Sequence, residues 1–398
     1  MEMKPHSDKY SGEELDREDS IDHIEAEDSS RGDATAKPWD PTKIRITTKH
    51  FSLRDVVDQI KDGEIYLSPD FQRDYIWKER QRTRLIESIL LGIPLPAFYF
   101  NQDVDGTYQV VDGVQRLSTI AMFMRDEHAL TEYDLEYLVN LDGVVYSKLN
   151  PAELRRFRST QIVVHVIEPQ TPDEVKYDIF SRVNTLGSPL SAQEIRHAMS
   201  KTRSRSLLKQ LSEMKEFDEA TEWQYWRSIG DDSVRDSGRM TNRELALRFC
   251  AFRHYSDEEY RNHPSLDAFL VAFTKKLDAE ENDELRISDA QLKKLVADFK
   301  RAMKNANEIL GTAAFRRWPP GQKRRGPLNR AVFESQAIAL ADYKLTQLRP
   351  FKKEIELEFR KAFDNPDYSR AVTVGTGDPR KVTLRFEHTK NILAEILS

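Results

Sequence analysis

Tyr108-Gln-Val-Val-Asp112-Gly113-Val114-Gln115-Arg116-Leu-Ser-Thr-Ile120 runs from an extended apolar segment, through two turn-forming residues, into a helical pattern. A strand that ends in such a loop and turns into a helix aims free backbone N–H groups and the positive end of the helix dipole at one point. That point suits an anion such as a phosphate. Gly113 permits a left-handed backbone, Arg116 offers a fork of donors, and Asp112 is placed to hold a cation or orient a water. Asp-Gly is also an ordinary turn dipeptide, so these residues alone leave a plain-turn reading open.

The flanking sequence predicts a small sheet around this loop. Residues 97–101 and 108–111 read as two strands joined by a turn at Asp105-Gly106, which delivers Asp112 to the loop. Before them, Leu85, Ile86, Ile89 and Leu90 recur at helical spacing over 78–91, Gly92 stops the pattern, and Pro94 and Pro96 force an extended entry. Ser52-Leu-Arg-Asp55 predicts a short helix ending near Gly63. Residues 161–167 are a further strand, and 43–47 an edge strand. Thr171-Pro172-Asp-Glu174 and Ser191-Ala-Gln-Glu194 carry helix-capping signals, and Glu194 is expected to satisfy backbone groups there. The fold class is α+β, a small mixed sheet with helices.

From about residue 201 the pattern becomes helical, with apolar runs over 245–249, 266–277, 292–310 and 332–348. Residues 230–240 and 312–327 read as loops, and 381–386 as a short strand before a last helix. The expected division is a tail at 1–40, a sheet domain at 41–200 and a helical domain at 201–398.

The 398 residues, 39% of them hydrophobic, suffice for real cores. The net charge of −6 is uneven: residues 1–40 hold thirteen Asp/Glu and five Lys/Arg, which leaves the remainder at +2. Residues 1–36 are charged and nearly free of aromatics, and are expected to be a disordered acidic tail, solvated or screening a basic groove. One cysteine, Cys250, excludes an internal disulfide and a thiolate zinc cluster; with no long apolar run, a reducing cytoplasm is expected. The nine histidines show no His-x-x-x-His and no His-Glu pair, and neither a Gly-x-Ser-x-Gly nor a Gly-x-x-x-x-Gly-Lys-Ser/Thr motif occurs.

Three separated motifs stand in order: Pro69-Asp-Phe-Gln72-Arg73-Asp-Tyr75-Ile-Trp77, then Asp112-Gly-Val-Gln-Arg116, then Phe180-Ser-Arg182-Val-Asn184-Thr-Leu-Gly187. Together they resemble the N-terminal domain of GmrSD-type restriction proteins, a family similar in fold to ParB and sulfiredoxin, over roughly residues 51–199. The family usually reads Asp-Gly-Gln-Gln-Arg, and here the third position is Val114.

The resemblance implies a pocket in which Gln72, Arg73, Gly113, Arg116, Arg182 and Asn184 bind an NTP, Asp112 positions Mg²⁺ or water, and Asp112, Gln115 and Arg116 carry hydrolysis. It implies a role in phage defence, with nucleotide state gating the helical region or a separate nuclease. On residue chemistry alone, Arg73 serves equally as an ion-pair partner, Trp77 as a core plug, and Asn184 and Gly187 as a helix-ending turn. A second basic stretch, Arg316, Arg317, Trp318, Lys323, Arg324 and Arg325, is a candidate nucleic-acid contact. Two other functions stay open: a DNA-binding scaffold that hydrolyses nothing, and a ParB-like nuclease acting through Asp112. The HNH-like nuclease constellation of the larger family members is not found in this sequence.

Overall fold

A computed structural model describes residues 24–28, 40–67, 77–183, 191–229, 232–236, 239–281 and 283–398. The first region is built on a five-stranded mixed sheet in the order β1-β5-β3-β4-β2, with β1 at Ile46–Ser52, β2 at Ile65–Tyr66, β3 at Phe98–Gln102, β4 at Tyr108–Asp112 and β5 at Gln161–Ile167. β1 and β5 run antiparallel, as do β3 and β4, while β3 with β5 and β2 with β4 run parallel. The edge strand expected at 43–47 starts later, at Ile46, and pairs with the whole of β5.

Alternation along the strands divides the core. Val110 and Val166 face one layer with Phe98, Phe100 and Val164, under helices α1 (Leu53–Lys61), α2 (Glu79–Leu91), α3 (Val114–Met124) and α4 (Pro151–Ser159). Their neighbours Val111 and Ile167 face the other side, where Phe180 of α5 (Asp173–Val183) and Ile195 of α6 (Ala192–Ala198) cover them. Three capping signals act as read: Ser52 accepts from the Asp55 amide, Gly92 ends α2 in the left-handed region, and Ser191 and Glu194 form a reciprocal box. The Thr171 hydroxyl instead accepts from the Arg45 amide at 3.0 Å, and α5 starts at Asp173.

The second region is an array of helices around one large apolar cluster, built on Thr241–His254, Leu266–Asp278, Asp289–Asn305 and Arg330–Leu340. Two expectations fail here. Residues 381–386 are not a strand but lie in the helix Pro379–Leu397, because Asp378 caps it, Pro379 takes its first position, and Val382, Arg385, Phe386, Thr389 and Leu393 are buried at helical spacing. A small hairpin, β6 (Trp226–Ile229) with β7 (Asp232–Arg235), interrupts what reads as helix and loop.

The third correction concerns the tail. Residues 24–28 lie inside the stretch whose composition predicts disorder, yet they pack on the helical region. Ile24 is buried and bridges Leu328, the Glu25 amide donates to the Leu328 carbonyl at 2.6 Å, and the Thr376 amide donates to the Asp28 carbonyl at 2.8 Å. Among the described residues, no helix is long and apolar enough to cross a membrane.

Candidate functional site

β4 ends at Asp112, and Gly113 turns the chain into α3 with φ +94°, a left-handed backbone that only glycine takes without strain. Space reinforces this choice, since a Cβ on Gly113 would strike the Phe98 ring. The residue is fixed by local geometry whatever the loop binds.

Arg116, one turn into α3, folds back over the loop. Its Nη2 donates to Asp112 Oδ2 at 2.9 Å and to the Ala97 carbonyl at 3.2 Å, and its Nη1 donates to the Pro96 carbonyl. The guanidinium lies 4.1 Å from the Phe98 ring centroid. Burial lowers the Arg116 guanidinium from its ordinary value and the Asp112 carboxylate offsets part of that loss. The arginine thus ties the entry to β3, the end of β4 and the start of α3 into one clasp, with Asp112 about a third exposed at its mouth. Gln115 stands half-buried on the same first turn.

Val114, where the resembling family carries glutamine, is packed into the sheet core at 9% exposure. The side chain at this position points inward, so the substitution changes core packing at the base of the loop. A cavity of about 520 Å³ flanks α3 and is lined by Tyr66, Leu67, Arg82, Ser118, Met122 and Arg125 among others; neither Asp112 nor Arg116 lines it.

The other expected pocket residues are placed unevenly. Gln72, Arg73, Asn184 and Gly187 lie outside the described residues. Arg182 sits at the end of α5, whose Phe180 packs on Val111 of β4, so its helix adjoins the strand that delivers Asp112. The Arg182 side chain is 75% exposed and bonds Asp178 at 3.1 Å. Glu194 accepts from the Ser191 amide and from Arg239, as its capping position implies.

The basic stretch near 316–325 is divided in its roles. Arg316 is buried and bonds Gln224 at 2.9 Å, which makes it a structural residue and no surface contact. Trp318 is engaged too: its Nε1 donates to the Gln322 carbonyl and the Arg360 guanidinium covers its ring at 4.1 Å. Arg317 pairs with Glu25 at 2.6 Å, and Arg325 pairs with Glu222. Lys323 and Arg324 are exposed.

Sequence reading misses a buried ionic network. Arg248 is 4% exposed and bonds Glu27, Glu244 and Glu334 at 2.6, 2.7 and 2.8 Å. Arg330 reaches Glu244, Arg385 reaches Glu334, and Arg196 bonds Asp267. Burial alone would raise the Glu244 carboxyl, but Arg248, Arg330 and Arg196 bring it down to about 2. Glu27 is likewise held below its ordinary value, burial being outweighed by Arg248. Four arginines therefore face four carboxylates, and the segment 24–28 supplies one of the four.

A mixed sheet whose fourth strand ends in Asp-Gly and enters a helix through an arginine clasp, followed by a helical array, defines an α+β protein. Residues 53–200 match the family model of the GmrSD restriction endonuclease, N-terminal domain. No curated protein and no solved structure matches the chain.

Proposed function

We propose that the domain over 53–200 is a nucleotide-binding and nucleotide-hydrolysing module of a restriction system against foreign DNA, and that its nucleotide state acts on the helical region or on a separate nuclease. The observation that carries this reading is the convergence of Asp112, Gly113 and the first turn of α3 at one loop. The first-turn amides of α3 would offer donors to an anion, Arg116 supplies positive charge, and Asp112 is the acidic group at the mouth.

Mg²⁺ usually keeps several waters and takes one or two carboxylates together with substrate phosphates, so a lone, partly exposed Asp112 fits that demand. Bound there, the metal would neutralise developing charge on a transferring phosphoryl group. Because Arg116 already holds Asp112, ligand entry must share or open that pair, and the remaining guanidinium donors are the first available to a phosphate. Gln115 would orient the attacking water, with Arg73, Gln72, Arg182 and Asn184 as further ligands of the NTP.

A second reading keeps the loop as a binding site without chemistry: the Arg116 loop grips a DNA backbone phosphate and nothing is hydrolysed, a reading favoured by Val114, buried where the resembling family carries glutamine. Release of inorganic phosphate from each NTP, with and without Mg²⁺ and DNA, separates the two. The first reading requires Mg²⁺-dependent release that Asp112→Asn removes, and absence of release from every NTP would overturn it in favour of the second.

A further inference from the structure

Arg317, Arg324 and Arg325 line a surface pocket of about 500 Å³, together with Gln322, Phe363 and Glu25. Glu25 brings a carboxylate from nearly three hundred positions away in the chain, to a hollow whose other charged lining residues are arginines. That carboxylate is bound as an oxyanion ligand would be: Arg317 Nη1 donates to one oxygen at 2.6 Å and Asn329 Nδ2 to the other at 3.0 Å. Arg325 is engaged by Glu222 and the Thr312 carbonyl, whereas Arg324 makes no ion pair with any described residue, so one positive charge remains in the pocket after Glu25 and Glu222 are counted.

Glu25 is held there by its neighbours. Ile24 is buried beside Leu328, Arg330 donates to the Glu25 carbonyl at 3.1 Å, and Glu27 is locked against Arg248 and the Thr376 hydroxyl. The backbone is therefore fixed while the Glu25 side chain, 24% exposed, lies at the pocket rim. A competing oxyanion can take Arg317 by rotating one side chain, without breaking the buried Glu27–Arg248 pair.

We propose that this pocket contacts the phosphates of a nucleic-acid strand through Arg317, Arg324 and Arg325, and that Glu25 is its resident anionic competitor. Guanidinium forks bind phosphate and carboxylate oxygens alike. The nucleic-acid strand is the occupant proposed because its phosphates repeat along a backbone that can span Arg317 and Arg324 together, and an acidic peptide is the alternative outcome of the test. The built-in carboxylate sets a threshold: an isolated anion meets a filled donor and a like charge, whereas a strand presenting several phosphates engages Arg324 directly and competes with Glu222 for Arg325. This inference is independent of the nucleotide reading.

The test is fluorescence anisotropy of a labelled oligonucleotide of about 20 nucleotides, longer than the ~4–16 of a typical single-strand site, titrated with the full chain across a salt series. Glu25→Gln keeps an acceptor for Asn329 and leaves the anchors in place. It should tighten binding roughly three- to tenfold at low salt, with the gain fading as salt rises. Arg324→Gln should weaken binding and reduce the slope of log affinity against log salt by about one. Equal affinity in wild type and Glu25→Gln, an unchanged slope in Arg324→Gln, or no binding by any variant would overturn the proposal. So would binding of a labelled poly-glutamate peptide in place of the oligonucleotide.

Discussion

Arg116 Nη2 stands 2.9 Å from Asp112 Oδ2, four positions apart across the turn at Gly113, while the same guanidinium donates to the carbonyls of Pro96 and Ala97. The residue proposed to meet a phosphate is thus also a brace between β3, β4 and α3. Charge-assisted hydrogen bonds of this kind contribute about 1.5–3 kcal/mol. Arg116→Ala is expected to lower the melting temperature by several degrees as well as remove phosphate affinity, whereas Arg116→Lys keeps the charge and loses the fork. Melting curves of both variants check this, and an unchanged melting temperature in Arg116→Ala would remove the brace.

Gly113→Ala combines a left-handed backbone with a collision against Phe98. Strain at such a position alone costs about 1–3 kcal/mol, and displacing the Phe98 ring adds to it. Denaturant unfolding should show a loss at the upper end of that range or beyond, and a neutral result would mean that the loop has room to shift.

Val114→Gln would restore the family's usual residue but place an amide among apolar side chains. Burial of an unpaired amide costs about 1–3 kcal/mol in proteins. The expected outcome is lower stability without faster nucleotide turnover, read by unfolding and by phosphate release. A rise in turnover at equal stability would show that the side chain can reach the loop.

Much of the loop was legible because its determinants are local. Strand, Asp-Gly turn, helix start and the stop at Gly92 each depend on residues within a few positions of one another, and capping chemistry is written in sequence. The docked segment was not legible, since Glu25 and Glu27 meet Arg317 and Arg248 across more than two hundred residues, and composition alone reports only that the segment is acidic. The helix read as a strand at 381–386 carries Val, Thr, Leu and Phe in an alternation that suits either state; Asp378-Pro379 was the signal that decides it. That Arg116 spends its donors on Pro96 and Ala97 follows from the approach of two strands, which no motif encodes.

Glu27 completes the neutral set around Arg248, and removing one partner of a buried pair costs about 3–5 kcal/mol. Deleting residues 1–28 should therefore destabilise the helical region strongly, while deleting 1–23 should leave the network intact. Glu27→Ala should reproduce most of the larger loss in denaturant unfolding. Equal stability of the two truncations would show that the segment is dispensable.

The same network fixes a pH dependence. Glu244 and Glu27 have folded-state values below the ordinary 4.5, with Glu244 at about 2. A depressed carboxyl contributes stability that is fully present above its unfolded value and is lost as pH falls through the folded one. Unfolding midpoints should hold steady well above pH 4.5 for this contribution and fall from there toward about 2, with a shallower fall in Glu27→Gln. An identical acid profile in that variant would place the titration elsewhere.

The most direct test of the nucleotide reading is calorimetric titration of the full chain with each NTP in the presence of Mg²⁺, for wild type and for Arg116→Lys. The account predicts saturable binding of at least one NTP by wild type, weakened about tenfold or more by Arg116→Lys, a difference of about 1.4 kcal/mol, in a variant that remains folded. Absence of binding by the folded wild-type chain, or equal affinity in the two proteins, would contradict it.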